Sequence, residues 1–220
     1  MPERIDIAPG EAGIIPLFTL VPGLRLILAS ASPRRRQFLH EWGLPFTSVW
    51  PKGVEPRPEH DETPDAYCRR AAAAKALAVA RQTAGDEILI LAADTVVALH
   101  GDILGKPRDA QEALGMLQRL SGQSHEVISA VCLLLPDGRR RVFSDASRVF
   151  FHAWPTSVLA AYVRTHESDD KAGGYAVQGQ GAFLVERVEG SWSTVVGLPT
   201  TMLARTMLDE GIISPVSNGA

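Results

Sequence analysis

A cluster of basic residues follows an apolar stretch near the start of the chain, in the sequence LASASPRRRQFL (residues 28–39). Ser32 followed by Pro33 predicts a helix start, because a serine hydroxyl can cap a free backbone N–H and proline is tolerated in the first turn. Arginines in that turn are disfavoured by the helix dipole by about 0.3–1 kcal/mol each. Helix N-termini, serine hydroxyls and arginine forks all bind phosphate. The stretch therefore favours a polyanion site, with a solvated and slightly strained helix start as the alternative.

Three further polar residues are candidates for the same site. Asp94 ends the apolar run EILILAAD, and a carboxylate at the end of a buried strand can bind a metal or activate water. A turn-capping role is the alternative for Asp94. Lys106 lies between a glycine and a proline, so it projects from a loop and either binds phosphate or is solvated. Lys75 belongs to an alanine-rich helix, where a surface lysine is the plainer interpretation.

The elements that position these residues alternate between strand and helix in the first half of the chain. A pair of residues, Asp109 and Glu112, resembles a capping box, and Thr156 can cap a later helix. This order predicts an α/β fold with a mixed, twisted sheet flanked by helices. Apolar patterns and turn residues predict strands at 25–29, 46–50, 87–94, 125–135 and 140–152, helices at 33–42, 64–82, 109–120, 156–166 and 199–210, hairpins within 95–105 and 170–199, and a loop at 51–64.

The composition limits the class of protein. The chain has 220 residues, 45% hydrophobic and 21% charged, with a formal net charge of -3, which fits one large domain or two small lobes and argues against binding to nucleic acid or a membrane surface. Cys68 and Cys132 have no metal or redox spacing and are expected to be buried in a protein of a reducing compartment. A membrane span and a secretory signal are not predicted, so we expect a cytoplasmic protein. We expect an N-terminal extension at 1–23, a folded unit at 24–212 and a tail at 213–220.

Several catalytic signatures are missing from the sequence. It contains no Gly-x-Ser-x-Gly, His-Glu-x-x-His, Cys-x-x-Cys or Gly-x-Gly-x-x-Gly. The stretch GDILGKP (101–107) is not a phosphate loop, since its glycines are too close and a proline follows the lysine. The serine- and arginine-rich helix start is therefore the main chemical signal.

Taken in order, six stretches resemble the Maf family of nucleoside triphosphate pyrophosphatases. The resemblance covers nearly all of residues 24–210. It implies a two-lobed fold similar to inosine triphosphate pyrophosphatases, with a cleft for the nucleotide. The stretches are LASASPRRRQFL (28–39), ETPDAYCRRAAAAKA (62–76), AADTVV (92–97), GDILGKPRDAQEALGMLQRLSGQSHEV (101–127), DKAGGYAVQGQGAF (170–183) and GSWSTVVGLP (190–199).

The resemblance implies a house-cleaning or regulatory hydrolase. Such an enzyme cuts a nucleoside triphosphate between its α and β phosphates, using a divalent cation such as Mg²⁺ or Mn²⁺. It assigns the general base to Asp94, which also contacts the metal. It assigns phosphate binding to Ser30, Arg34, Arg35, Lys75 and Lys106, and leaves Arg36 without a role.

The DKAG-Y-Q-G stretch is similar to that of the dTTP/UTP pyrophosphatase branch. In that branch the resemblance implies that Arg34, Thr95 and Gln178 set base choice. A side-chain amide can pair with the edge of thymine or uracil, and a mismatched base leaves buried polar groups unpaired. The leading hypothesis is thus hydrolysis of dTTP and UTP.

One position departs from the family pattern. The loop after the second strand usually carries Val-Asp-Glu, and here it reads Val54-Glu55-Pro56. Either Glu55 holds the metal from one position earlier, or an acidic residue of the following loop replaces it, or metal affinity is reduced. The candidates in that loop are Glu59, Asp61 and Glu62.

Two other functions remain open on the sequence alone. One is the same hydrolysis acting on modified or non-standard nucleotides. The other is a nucleotide-binding regulator of cell division with weak turnover, which the proline of the acidic loop makes conceivable. The resemblance also implies a homodimer with a nucleoside triphosphate as the ligand, while the acidic net charge argues against a nucleic acid or membrane partner.

Overall fold

A computed structural model describes residues 4–7, 14–50, 53, 54 and 56–217 of the chain. The ten strands in this part are β1 (Arg4–Ile7), β2 (Phe18–Leu20), β3 (Arg25–Ala29), β4 (Phe46–Val49), β5 (Ile88–Leu99), β6 (Asp102–Leu104), β7 (Ser124–Leu134), β8 (Arg140–Phe151), β9 (Val185–Glu189) and β10 (Ile213–Pro215). The six α-helices there are α1 (Pro33–Glu41), α2 (Pro64–Ala80), α3 (Ala110–Leu120), α4 (Thr156–Val163), α5 (Trp192–Val196) and α6 (Thr200–Asp209).

Eight of these strands form one mixed sheet in the order β1-β4-β3-β5-β7-β8-β9, with β6 pairing to β5. Strand β3 is parallel to both β4 and β5, whereas β7, β8 and β9 continue the sheet in antiparallel fashion. Helix α1 connects the parallel neighbours β3 and β4, and α2 connects β4 to β5 on the other side of β3. The predicted fold class, a mixed sheet flanked by helices, is confirmed.

Strand β5 is longer than predicted. The prediction that it ends at Asp94 is wrong, because it continues to Leu99 and pairs with β7 as far as Ala98↔Glu126. The apolar residues after Asp94 are buried, so burial extends the strand through this carboxylate. The predicted hairpin is correspondingly shorter and turns at His100, whose φ is 53°.

The helices leave two separate cores on one face of the sheet. Helices α1 and α6 pack against one end of β5, around residues such as Leu91, while α3 and α4 pack against its other end, around residues such as Leu99. Between the two cores this face carries Thr95 of β5 and its partner Ser129 of β7. The opposite face is covered by α2, whose alanines allow a close approach to the sheet. Both Cys68 and Cys132 are buried there, as predicted.

Of the three predicted helix N-caps, the structure confirms one. Asp109 caps α3 as predicted, because its Oδ1 accepts a hydrogen bond from the Glu112 N–H at 2.8 Å. Helix α1 begins at Pro33 directly after Ser32, as predicted, but the Ser32 side chain makes no capping bond to the described residues of that helix, so the predicted cap is wrong. The predicted cap at Thr156 is also displaced, since Pro155 occupies the N-cap position and α4 ends at Val163.

The segment after α4 differs from its predicted loop and hairpin. It contains two short 3₁₀ turns, at Ala172–Gly174 and Gly179–Leu184, before β9 and α5. Strand β9 pairs with β8 and therefore extends the main sheet at its edge. This segment therefore lies beside the core that contains α3 and α4 instead of forming a separate hairpin.

Strands also occur outside the predicted folded unit at 24–212. Within the first 23 residues, β1 pairs with the edge strand β4 and β2 pairs with β10 from the C-terminal side. The boundaries at 23 and 212 stay a prediction. In the parts of the chain that the structure describes, none of the helices has the length and apolar character that a membrane crossing needs.

Candidate functional site

A break in strand pairing forms the floor of a deep cleft. Strand β3 pairs with β5 only as far as Ala29↔Ala92, and β6 begins to pair at Val97↔Leu104. Among the described strands, none therefore lies beside residues 93–96 of β5 on that edge. A cleft of about 860 Å³ lies at this gap and includes Asp94 and Thr95 in its wall. The gap explains how a carboxylate in the middle of a strand can face a ligand.

Asp94 forms an ion pair with Lys75 on the α2 face of the sheet. The Lys75 Nζ donates to Asp94 Oδ1 at 2.5 Å, and each side chain is 13% exposed. Lys75 is thus not a surface lysine. The sequence assigned both residues to one site, and the structure brings them into contact inside the cleft.

The start of α1 forms a second wall of the cleft. Ser30, 6% exposed, accepts a hydrogen bond at its Oγ from the Ser32 N–H at 3.1 Å. This bond uses the Ser32 N–H and folds the segment before the helix into a tight turn, but it caps none of the free N–H groups of α1. Arg34 also borders the cleft. Four residues of the predicted phosphate-binding stretch therefore lie at the cleft, namely Ser30, Ser32, Arg34 and Arg35.

Arg35 differs from Arg34 because protein groups engage most of its guanidinium. Its Nη1 donates to the Ala93 carbonyl at 2.8 Å, its Nε to the Gly197 carbonyl at 2.9 Å and its Nη2 to Thr95 Oγ1 at 3.0 Å. The Ala93 carbonyl lies in the gap in strand pairing, so the arginine replaces a strand partner there. Burial lowers the pKa of the Arg35 guanidinium, and the Asp94 carboxylate opposes this effect.

Two loops with one lysine each form the rim on the β6 side. Lys106 lies in the loop after β6, as predicted, and Lys171 lies just before the first 3₁₀ turn; both border the cleft. The Gly173 N–H donates to the Gly105 carbonyl at 3.0 Å, so the two loops are fastened together. The sequence did not single out Lys171 as a site residue, although it lies in the DKAGGY stretch. It forms an ion pair with the exposed Asp170.

Hydrogen bonds to Tyr162 and Glu167 hold the segment that carries Gln178 in place. The Tyr162 hydroxyl accepts from the Ala176 N–H at 3.1 Å, and Glu167 accepts from the Gly181 N–H at 2.7 Å. Val177 borders the cleft, and the half-buried Gln178 follows it at the start of the second 3₁₀ turn. The structure therefore brings the neighbour of the predicted specificity residue to the cleft, but Gln178 itself is not among the residues that line it.

Tyr175 adds a buried aromatic group to the same wall. Its hydroxyl shares a 2.7 Å hydrogen bond with His125 Nε2, and His125 is 2% exposed. Burial lowers the pKa of His125 to about 4, so the imidazole is neutral near pH 7. This pair supports the apolar part of the cleft. No sequence pattern indicated it, because the two residues are 50 positions apart.

Carboxylates are few in the described part of the cleft. Asp94 and Asp170 border it, and no group of three or more His, Cys, Asp or Glu side chains among the described residues could hold a metal. Glu55, the predicted metal ligand, lies outside the described residues. The alternatives Glu59 and Glu62 pair with Arg70, which lowers the pKa of Glu62 to about 2, and Asp61 pairs with His60.

This donor set suits one kind of metal site. Mg²⁺ and Mn²⁺ retain several waters and are commonly bound by one or two carboxylates together with substrate phosphates. Asp94 fits such a site, whereas a closed cage of protein ligands is not present in the part of the chain that the structure describes. A metal here would be shared between the protein and a phosphorylated substrate.

Fold and site together define an α/β protein with a cationic cleft for a polyanion. The chain belongs to the Maf-like protein family, whose model matches residues 25–210. It is 52% identical over 188 residues to a dTTP/UTP pyrophosphatase of Nitratidesulfovibrio vulgaris, and this match covers 86% of this chain and 89% of that protein. It is 47% identical over 192 residues to a protein of the same description from Oleidesulfovibrio alaskensis, covering 86% and 87%. The Ham1 protein structure of Staphylococcus aureus aligns over 85% of this chain and 99% of that chain, with 14% identity and a TM-score of 0.47.

Proposed function

We propose that this protein is a nucleoside triphosphate pyrophosphatase that hydrolyses dTTP and UTP to the nucleoside monophosphate and pyrophosphate. The observation that carries the proposal is the Asp94–Lys75 pair, which lies in the gap in strand pairing among basic side chains of the cleft. The descriptions of relatives up to 52% identical over most of both chains support the same activity.

The phosphates are proposed to lie against the start of α1 and the two lysine loops. The Ser30 Oγ accepts the Ser32 N–H, so its own proton can be donated to a phosphate oxygen. Arg34 supplies a guanidinium at the cleft wall, and Lys106 supplies an ammonium from the rim. Fixed positive charge of this kind stabilises the charge that develops on a leaving pyrophosphate. Arg35 and Lys75 complete the predicted set, although each is already engaged by a protein group.

Asp94 is the proposed general base. Lys75 engages Oδ1, so we assign Oδ2 as the oxygen that accepts the proton of the attacking water. The water oxygen bonds to the α-phosphorus, and the bond from this phosphorus to the oxygen bridging the α and β phosphates breaks. The electron pair of that bond leaves with pyrophosphate. Lys75 holds the carboxylate in the direction that this proton transfer needs.

A divalent cation, Mg²⁺ or Mn²⁺, is part of this proposal. It would be held by Asp94 and substrate phosphates, with Glu55 as a further predicted ligand. When bound, such an ion supplies positive charge to the phosphates.

Base choice is proposed to depend on Gln178, which follows the cleft residues Tyr175 and Val177. The amide of Gln178 offers both a donor and an acceptor, which matches the edge of thymine or uracil. Arg34 and Thr95 are the other predicted specificity residues. A cytosine edge presents a different donor pattern, so it would leave polar groups unpaired.

Two further features are proposed, one from the sequence and one from the resemblance. These are a cytoplasmic location and assembly as a homodimer. Size-exclusion chromatography with light scattering tests the dimer, which would appear at about twice the chain mass of 23.7 kDa.

The deciding experiment separates the two product pairs that a triphosphate hydrolase can form. The purified protein is incubated with dTTP, UTP, CTP, ATP and a panel of modified nucleotides in the presence of Mg²⁺ or Mn²⁺. Monophosphate and pyrophosphate are then measured separately from diphosphate and phosphate. We expect the first pair, from dTTP and UTP in preference to CTP and ATP.

Isotopic water identifies the attacked phosphorus. In H₂¹⁸O, attack at the α-phosphorus places the label in the monophosphate, whereas attack at the β-phosphorus places it in pyrophosphate. Release of inorganic phosphate, or tight nucleotide binding without hydrolysis under any condition, would overturn the proposal. A preference for modified nucleotides would retain the reaction and change the substrate.

A further inference from the structure

A chain of hydrogen bonds runs from Arg35 into the sheet. Arg35 Nη2 donates to Thr95 Oγ1 at 3.0 Å, Thr95 Oγ1 lies 2.8 Å from Ser129 Oγ, and Ser129 Oγ donates to the Thr194 carbonyl at 2.7 Å. A serine hydroxyl has one proton, and that of Ser129 is used on the carbonyl. Thr95 must therefore donate to Ser129, which fixes the direction of every bond in the chain.

This direction limits what the Thr95 hydroxyl can do. Its proton points to Ser129, since the Gly197 carbonyl at 3.5 Å is too far to compete for it. One of its lone pairs accepts from Arg35. Thr95 is thus held in place by the protein on both sides, and toward a nucleotide base it can act only as a hydrogen-bond acceptor.

Arg35 connects this chain to the other parts of the cleft. Its planar fork also binds the carbonyls of Ala93 and Gly197, which belong to β5 and to the turn between α5 and α6. Three of its five N–H donors are therefore committed to protein groups at 2.8–3.0 Å, and Nη1 also donates to Ser30 Oγ at 3.4 Å. These contacts cross the polar boundary between the two cores, at the strand segment that carries Asp94.

We propose that Arg35 is a positioning residue, which acts through Thr95 and Ser129 to fix the Asp94 segment of β5 against the α5–α6 turn. This inference rests on the proposed pyrophosphatase activity and assigns a role to Ser129, which is fully buried and cannot touch a substrate. Arg34, which has the same charge and lies one position earlier, borders the cleft and is the arginine proposed to bind phosphate directly.

The test is a double-mutant cycle on kcat and KM with UTP. The variants are Arg35→Lys, Ser129→Ala and the two combined, with Arg34→Lys and Arg36→Ala as matched changes in the same arginine run. Lysine keeps the charge of Arg35 but cannot reproduce its three-way fork. We expect Arg35→Lys to lower kcat about 100-fold, because small misplacements of catalytic groups have effects of this size. KM should change less than about threefold, as uniform binding is retained.

Ser129→Ala should also lower kcat at nearly constant KM, and the double variant should resemble Arg35→Lys because both changes break one chain. Thr95→Ser keeps the hydroxyl and should keep most of kcat, whereas Thr95→Val should behave like Ser129→Ala. Arg34→Lys should raise KM, and Arg36→Ala should match the wild type. Thermal unfolding without ligand is measured for each variant, so that kcat is compared only among folded proteins.

Three outcomes would overturn the inference. These are an unchanged kcat in folded Ser129→Ala, effects of the two changes that multiply in the double variant, or a rise in KM as the main effect of Arg35→Lys. Failure of the wild type to release pyrophosphate from any nucleotide would instead reject the proposed function.

Discussion

Replacing Asp94 with asparagine tests the proposed chemistry most directly. The amide would keep the shape of the side chain and its contact with Lys75, but it cannot accept a proton from water. General base catalysis contributes about 10²–10⁴-fold to rate, so kcat should fall by that factor, or about 3–5 kcal/mol in the activation barrier. KM should rise as well, because Asp94 is also a proposed ligand of the cation shared with the substrate phosphates.

The same change should lower stability by an amount that the structure bounds. Lys75 loses its counter-charge, and both partners are 13% exposed. Exposed pairs contribute less than about 1 kcal/mol and breaking buried pairs costs about 3–5 kcal/mol, so about 2 kcal/mol is expected here. For a chain of this length that corresponds to a decrease in Tm of about 4–8 °C. We therefore expect a folded variant, and its thermal unfolding is measured to check this.

A second variant separates catalysis from folding. In Asp94→Asn combined with Lys75→Met, no unpaired charge remains at this pair, so most of the Tm should return while kcat stays low. Pyrophosphate release and thermal unfolding are measured on the wild type and both variants. Hydrolysis by folded Asp94→Asn at the wild-type rate would refute the assignment of the base.

Three other perturbations address the remaining parts of the cleft. Gln178→Glu should change the ratio of kcat/KM between UTP and CTP more than it changes KM for UTP; an unchanged nucleotide panel would reject a role in base choice. Lys171→Ala should raise KM several-fold, because it removes a cation from the rim beside Lys106, and Arg36→Ala provides the control of equal charge change. His125 has a pKa of about 4 in the folded state, below the usual 6.5, so the unfolded chain binds more protons between these values and stability falls on acidification. Urea unfolding should show a loss of about 2 kcal/mol from pH 7 to pH 5, and this dependence should be absent in His125→Leu.

The sequence predicted which residues gather at the cleft better than it predicted what they do there. The apolar runs and turn residues were sufficient for the mixed α/β class, and the motif resemblance selected Ser30, Arg34 and Lys106, all of which border the cleft. The predicted end of β5 was wrong because a run of apolar residues does not indicate where the neighbouring strands end. Register is a property of pairing between distant segments, and the gap beside Asp94 arises from the ends of two other strands.

The contacts of Arg35 show the same limit of sequence-based prediction for an electrostatic argument. A basic residue in the first turn of a helix predicts an anion, because the helix dipole disfavours a cation there. The nearest electronegative groups prove to be backbone carbonyls, among them that of Ala93, which strand pairing leaves available. The sequence contains the arginine but not the location of that carbonyl.

Strands β5 and β7 pass through both cores and remain paired from Ile90↔Leu134 to Ala98↔Glu126. A hinge rotation of one core against the other would have to break this ladder of backbone bonds across the cleft floor. Substrate entry and product release are therefore left to the peripheral loops that border the cleft. The turnover rate should accordingly respond to loop changes and solvent viscosity, while amide exchange in β5 and β7 stays slow throughout the cycle.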